Sequence, residues 1–248
     1  MKEQYIYNYK TKTRYIDYDM NDRLKLSSVL TFLQESASYG AEEMGCGTDF
    51  LWPRAWGFIV TGYYTELYKN VPVGSNITVK TWALPAKHVI FEREFQFITA
   101  EGELIGAAVS RWCLYDVKNQ KLLPASRISD DSSREYCTDK ALPFKDWKIP
   151  TFPTDDLSPD YCVAVGSSNY DHYMHINNTF YADFCANCFS VEEWKSMKVK
   201  SFQIAFEEQC FEGDMLQFYK QNISEKDYII LGKKENGRVA IKAKLIFE

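Results

Sequence analysis

Residues 89–97 read Val-Ile-Phe-Glu-Arg-Glu-Phe-Gln-Phe, and their side chains alternate in character. One set of alternate positions is mostly polar and comprises Ile90, Glu92, Glu94 and Gln96. The other set is largely aromatic and comprises Val89, Phe91, Arg93, Phe95 and Phe97. Successive side chains of a β-strand point to opposite faces of the sheet, so this period of two predicts a strand with one aromatic face.

Three neighbouring segments continue this pattern on either side of the strand. Segments 56–67 and 104–115 are rich in aromatic and β-branched residues, and segment 76–82 alternates. Short breaks around Gly74 and at residues 100–103 separate the segments. Strands joined by short turns predict an antiparallel meander.

One long helix is predicted before this meander, after a weakly alternating strand at residues 5–15. Ser27 or Ser28 is the candidate N-cap, and Gly40 or Gly45 is the expected end. The apolar residues at helical spacing are Leu26, Leu30, Leu33 and Ala37. The first part of the chain therefore reads as strand, helix and meander.

The same order recurs in the second part of the chain. A strand at 161–170 precedes a helix for which Asn178 is the candidate N-cap. Further strands are expected at 198–210, 214–222, 227–233 and 239–247. An offset of 152 residues aligns Asp19 with Asp171 and Arg23 with His175. Two copies of one α+β unit are the economical interpretation.

Composition excludes several classes of function. The chain has 248 residues, a net charge of -5 and a pI of about 5.4, which argues against a nucleic-acid-binding protein. No apolar run reaches the length of a membrane helix, and residues 1–5 lack the layout of a signal peptide. Seven scattered cysteines favour reduced thiols, so a cytoplasmic protein is expected. The pair Cys185 and Cys188 lies on a predicted helix without further metal ligands, so no metal site is predicted.

Residues 169–178 form the most polar junction beside a predicted helix start. Asp171, His175, Asn177 and Asn178 all lie in this segment. Backbone N–H groups at a helix start can bind a developing oxyanion, and an imidazole can exchange a proton near neutral pH. The structural alternative is that Asp171 and Asn178 cap the helix and that His175 packs beneath it. The residues alone leave both readings open.

The pattern Asp171-x-x-x-His175-x-Asn177-Asn178-x-x-Tyr181 resembles the signature of acyl-acyl carrier protein (ACP) thioesterases. The first half is similar to the same family at Trp56, Pro72-x-Gly74, Thr81-Trp82 and Ser110-Arg111-Trp112, and the resemblance covers residues 10 to 245. It implies two tandem hotdog folds, each a long helix wrapped by an antiparallel β-sheet. The expected boundaries are 1–128 for the first domain, 129–157 for a linker across the surface and 158–248 for the domain with the catalytic residues.

The resemblance also implies a reaction, in which water cleaves a fatty acyl thioester on the carrier protein without a cofactor. The family's histidine and leading aspartate fall on His175 and Asp171, and its paired asparagines fall on Asn177 and Asn178. Two catalytic positions differ, because Tyr173 replaces an asparagine and the frequent Glu-Cys pair reads Gln209-Cys210. We expect His175 and Asp171 to activate water while Asn177 and Gln209 position it or the thioester. Because Gln209 cannot take a proton at neutral pH, a nearby carboxylate such as Glu208 or Glu212 is the alternative general base. Cys210 as a nucleophile remains the alternative, although strand alternation favours Gln209 facing the site and Cys210 packed.

The first repeat has Arg23 at the position of the histidine, so one active site per chain is expected. By the same resemblance the first domain bounds the acyl chain. The candidate lining residues are Leu30, Leu33, Trp56, Phe58, Trp82 and Trp112. The expected partner is an acyl carrier protein, with no nucleic acid and no membrane, and a homodimer is considered. An acyl-coenzyme A thioesterase and a non-catalytic acyl-binding protein are the alternatives. Lys233, Lys234 and Arg238 flank a turn and are expected to be solvated. Contact with an acidic carrier protein is the alternative for them, and it is favoured slightly for the cluster Lys195, Lys198 and Lys200.

Overall fold

The structure is a computed structural model that describes residues 3–128, 134–144, 146–171 and 173–248. Residues 129–133 and 145 of the predicted linker region, and His172 of the polar junction, lie outside the described residues. The chain divides into two compact units, one of residues 1–15 and 32–145 and one of residues 16–31 and 146–248. No helix among the described residues is long and apolar enough to cross a membrane.

The first unit is built on an antiparallel sheet. Its strands, in chain order, are β1 (Glu3–Gln4), β2 (Ile6–Lys12), β3 (Trp56–Leu67), β4 (Asn76–Ala83), β5 (Ile90–Thr99), β6 (Leu104–Asp116), β7 (Lys121–Leu123) and β8 (Arg134–Glu135). The main sheet has the order β2-β4-β5-β6-β3, with β7 beside β6, while β1 and β8 form a small parallel pair. The predicted meander is therefore confirmed.

The alternation predicted for residues 89–97 decides which face of this sheet is buried. Arg93, Phe95 and Phe97 are almost fully buried, and Phe95 lies opposite Thr81 and Ala108 on the neighbouring strands. Aromatic side chains on a half-buried strand bury a large apolar area, so this face forms the core.

The helix α1 (Leu26–Glu43) has 18 residues, and a short helix α2 (Thr48–Leu51) follows it. The predicted N-caps were wrong, because Ser27 and Ser28 lie inside the first turn of α1. The predicted end at Gly45 is confirmed by its φ of 71°, which glycine adopts without strain. Gly40 instead lies within α1, where an added Cβ would come within 2.7 Å of the Arg93 guanidinium.

The second unit repeats the first. Its strands are β9 (Tyr161–Ala164), β10 (Val199–Phe206), β11 (Met215–Ser224), β12 (Asp227–Lys234) and β13 (Val239–Phe247). They pair in the order β10-β13-β12-β11-β9, which matches the order β3-β6-β5-β4-β2 of the first unit. The glycine turns also correspond, because Gly74 donates to the carbonyl of Thr13 and Gly213 to that of Val165. Two hotdog repeats in one α+β chain are the result.

The helices of the second unit are shorter than predicted. The helix α3 (Thr179–Ala186) has eight residues and packs on the sheet through Tyr181 and Phe184. A separate helix α4 (Val191–Ser196) follows after a break. It begins with a capping box in which Ser190 and Glu193 bond each other's backbone N–H groups. The predicted single long helix is therefore two short ones.

The predicted linker does not simply cross the surface. In the first unit Leu142 is buried, and Phe144 stacks on Tyr64 of β3. In the second unit Ile149 is buried against Ile229 and Leu231 of β12. The described linker residues therefore cover the face of each sheet that is opposite the helix, and they contribute to both cores.

Candidate active site

His175 lies on a tight turn before α3. The Asp171 N–H donates to the carbonyl of His175 at 2.9 Å, and the Met174 N–H donates to the carbonyl of Asp171 at 3.0 Å. One carboxylate oxygen of Asp171 accepts from the Tyr173 N–H at 2.9 Å. Met174 has a φ of 60°, which reverses the chain. This bonding leaves the side chains of Tyr173 and His175 exposed.

The turn before α1 has the same bonding at an offset of 152 residues. The Asp19 N–H donates to the carbonyl of Arg23 at 2.7 Å, and the Asp19 carboxylate accepts from the Asn21 N–H at 2.8 Å. Asp22 has a φ of 53°, as Met174 has in the second turn. The predicted alignment of Asp19 with Asp171 and of Arg23 with His175 is confirmed.

The two turns differ in what their last side chain contacts. Arg23 is 14% exposed, pairs with Asp19 at 3.5 Å and donates to the backbone carbonyls of Trp194 and Met197. Trp194 in turn donates its indole N–H to Asp19 at 3.1 Å. His175 is exposed and forms no side-chain hydrogen bond to another described residue. The side chains of the first turn are therefore bonded to neighbouring segments, whereas the second turn exposes the imidazole of His175 to solvent.

Asn178 is the N-cap residue of α3, as predicted, but the side chain that bonds the first turn is that of Asn177. The side-chain oxygen of Asn177 accepts from the backbone N–H of Thr179 at 3.0 Å and from its hydroxyl at 2.9 Å. Asn178 itself forms no side-chain capping bond, although it occupies the predicted N-cap position. Because its oxygen is occupied, only the NH₂ group of Asn177 remains to donate to a bound group.

Gln209 and Cys210 lie on a loop rather than on a strand. The expectation that strand alternation separates these two side chains assumed a strand through residue 210. That assumption was wrong, because β10 ends at Phe206. Gln209 is exposed, whereas Cys210 is 1% exposed and its thiol donates to the Glu208 carbonyl at 3.8 Å. Burial raises the pKa of the Cys210 thiol, although Tyr181 and Lys234 act in the opposite direction. A thiolate nucleophile is therefore disfavoured at this position.

The loop that carries Gln209 is attached to the histidine turn. The Glu212 N–H donates to the Tyr170 hydroxyl at 2.6 Å. Tyr170 in turn pairs with Ile176 across the base of the turn. The structure thereby joins the turn of Asp171 and His175 to the loop of Gln209 and Cys210.

Lys234 anchors this loop, contrary to its expected solvated state. It is 7% exposed, and its ammonium contacts the carboxylates of Glu208 and Asp214 at 3.0 Å each and the Gln209 carbonyl at 2.7 Å. Burial opposes its charge, but the hydrogen bonds to both carboxylates raise its pKa above the ordinary lysine value. The period of two along β12 places Lys234 on the same face as buried Ile230, and this signal was available in the sequence.

The aromatic residues predicted to line an acyl tunnel do not share one face. Trp56 and Phe58 pack against a core cluster at one end of the first sheet, and Trp112 contacts Tyr63 on the helix side. Trp82 lies on the opposite face, where its indole N–H donates to the Asp139 carbonyl at 2.9 Å. Trp82 therefore does not share a face of the sheet with the other three.

Two predicted lining leucines and the cysteine pair are buried. Leu30 and Leu33 on α1 are 1% and 0% exposed. Cys185 and Cys188 are buried as well, and Cys188 donates to the Phe184 carbonyl. No group of histidine, cysteine or acidic residues that could hold a metal ion occurs within the part of the chain that the structure describes.

Comparison with known proteins gives a family. The family model described as "Acyl-ACP thioesterase N-terminal domain" matches residues 4–136. A curated relative, the chloroplastic oleoyl-acyl carrier protein thioesterase 2 of Arabidopsis thaliana, is 19% identical over 239 residues. The alignment covers 87% of this chain and 63% of the relative, so the chain spans less than two thirds of that protein.

Solved structures share the fold over nearly the whole chain. An acyl-ACP thioesterase from Bacteroides thetaiotaomicron superposes with a TM-score of 0.87 at 22% identity, covering 98% of both chains. A 12:0-ACP thioesterase from Umbellularia californica gives a TM-score of 0.84 at 16% identity, covering 99% of this chain and 98% of the other. The family model matches more than half of the sequence, so the chain belongs to the acyl-ACP thioesterase family.

Proposed function

We propose that the protein hydrolyses the thioester between a fatty acyl chain and the phosphopantetheine arm of an acyl carrier protein. The products are a free fatty acid and the holo-carrier protein, which ends chain elongation in fatty acid synthesis. One observation carries the proposal: His175 is exposed on a turn that Tyr170 ties to the loop of Gln209. Membership of the acyl-ACP thioesterase family supports the proposed substrate class.

In this mechanism His175 accepts a proton from water, and the water oxygen attacks the thioester carbonyl carbon. The carbon–sulfur bond then breaks, and the proton passes to the departing thiolate. The Asp171 carboxylate favours the protonated imidazole that forms on the way. A protein side chain that moves the proton in this way contributes typically about 10²- to 10⁴-fold to the rate.

Asn177 and Gln209 act as positioning groups in this proposal. The free NH₂ group of Asn177 donates to the thioester oxygen or to the water. Gln209 cannot take a proton at neutral pH, but its amide can hold the water. Cys210 is assigned to packing because its thiol is buried and its pKa is raised. Tyr173 stands exposed beside the site and is proposed to contact the bound substrate.

The test is steady-state hydrolysis of a panel of acyl-ACP thioesters of short to long chains by the wild type and His175→Ala. We expect the variant to lose about 10²-fold or more of kcat. His88→Ala is the matched control, because His88 is also an exposed histidine on a turn but lies in the first unit. Full activity of His175→Ala would reject the assignment.

The same panel separates the alternatives. Faster turnover of acyl-coenzyme A would favour a coenzyme A thioesterase, and binding without turnover would favour an acyl-binding protein. Binding without turnover is included as an outcome because Tyr173 and Gln209 replace the family's asparagine and glutamate. Activity on the acidic carrier protein should fall more steeply with salt than activity on a small thioester. Four further points remain proposals from the sequence. They are the domain and linker boundaries 1–128, 129–157 and 158–248, a single active site per chain, the acyl-lining residues of the first domain and a cytoplasmic location.

A further inference from the structure

Lys234 is a buried cation whose hydrogen bonds all end on one loop. Its ammonium contacts Glu208, Asp214 and the main chain of Gln209, and it lies 5.5 Å from the ring centroid of Phe211. An ammonium group has three N–H donors, so these contacts use its full capacity. Burying a lysine costs free energy unless its charge is paired, so Lys234 depends on Glu208 and Asp214 to remain buried as a cation.

Besides Lys234, the loop is attached on both sides of Gln209, where Arg238 pairs with Glu208 at 3.2 Å and the Cys210 side chain is buried. The Glu207 and Glu208 N–H groups both donate to the Ala240 carbonyl, at 2.8 and 3.1 Å, before the loop leaves the sheet. At the far end the Asp214 carboxylate accepts from the Phe211 N–H at 2.9 Å. Between these points the Gln209 carbonyl bonds Lys234, so this contact fixes the backbone from which the Gln209 side chain projects.

We propose that Lys234 is a positioning residue for the thioesterase reaction, which holds Gln209 at a set place relative to His175. This inference rests on the proposed function. The bond from Glu212 to Tyr170 ties the same loop to the histidine turn, so Lys234 fixes one side of the site against the other. A misplacement of about 1 Å in a reacting group can cost about 10²-fold in rate.

The experiment compares kcat and KM for acyl-ACP hydrolysis in the wild type, Lys234→Met and Lys233→Met. Lys233 is the matched control, because it is the adjacent residue on β12, points to the opposite face and bonds Thr154. We expect Lys234→Met to lower kcat by about 10- to 100-fold with KM changed by less than about threefold. Lys233→Met should leave both constants near the wild-type values.

Two further variants distinguish positioning from a merely structural role. Lys234→Arg keeps the charge and is expected to fold, but its planar guanidinium cannot meet the same three acceptors as a compact ammonium. Its kcat should therefore fall when it is measured at a temperature where circular dichroism shows the variant to be fully folded. In a Gln209→Ala background, Lys234→Met should lower kcat by no more than about twofold, because both substitutions remove the same function.

The outcomes are separable. Absence of turnover in the wild type would reject the proposed function and this role with it. Normal wild-type turnover with an unchanged kcat in Lys234→Arg and in any folded Lys234→Met would reject the role alone. Full additivity of Lys234→Met with Gln209→Ala would also overturn it.

Discussion

Replacing each of the two equivalent aspartates by asparagine separates the structural role of the repeated turn from its chemical role. In both turns one carboxylate oxygen accepts backbone N–H groups, and an asparagine side chain can accept in the same way. The other oxygen differs between the repeats. In Asp19 it bonds the Trp194 indole and pairs with Arg23, whereas in Asp171 no described residue donates to it.

The structure gives different magnitudes for the two variants. Asp19→Asn loses a charge-assisted hydrogen bond at 3.1 Å and an ion pair whose side chains are 14% and 12% exposed. The cost is about 2–4 kcal/mol of unfolding free energy, or roughly 5–15 °C in Tm. Asp171→Asn keeps its turn, so it should lose less than about 1 kcal/mol. It lacks the charge that favours a protonated His175, so kcat should fall by about 10²-fold or more.

The assay is urea unfolding of both variants together with acyl-ACP hydrolysis at saturating substrate. Asp19→Asn should be less stable but should keep its kcat at a temperature where it is folded. Asp171→Asn should be stable but slow. If Asp171→Asn retains a wild-type kcat, or if Asp19→Asn costs no stability, the contrast drawn between the two turns is wrong.

Three other predictions concern the buried Cys210 thiol and the Lys234 ammonium. Cys210 is buried with a raised pKa and Cys162 is exposed, so iodoacetamide at neutral pH should label Cys162 alone of the two, as read by peptide mass spectrometry. Cys210→Ala should keep kcat within about threefold, and a loss above about tenfold would revive the nucleophile. The pKa of Lys234 is raised in the folded state, so its stabilising contribution is complete below the ordinary lysine pKa and is lost as pH rises through the raised value. The difference in unfolding free energy between the wild type and Lys234→Met should therefore shrink above about pH 10.4, and a difference that stays constant there would contradict the ion-pair account.

The strands were largely predictable because their signal is local. β3 and β13 match the predicted ranges 56–67 and 239–247 residue for residue. The repeated order of elements and the alignment of Asp19 with Asp171 were also present in the sequence. Each depends on a period or a turn that a few neighbouring residues determine.

The structural features that the sequence analysis did not predict depend on residues distant in sequence, or on a capping box that marks a second helix. The break between α3 and α4 had an available signal in Ser190-x-x-Glu193, a capping box that begins a new helix. The position of Cys210 had none, because β10 ends where two successive N–H groups share the Ala240 carbonyl. Leu142 and Ile149 sit among charged residues, so the polarity of the linker concealed the residues that pack on the sheets.

The duplicated turn shows that one backbone motif serves two different roles in the same chain. In the first turn, the contacts of Arg23 and Asp19 with Trp194 hold neighbouring segments together. Because the first turn makes these stabilising contacts, the sequence of the second turn can change without unfolding the protein. Mutational tolerance should therefore differ between the two turns, and a library that varies both turns in parallel would measure that difference.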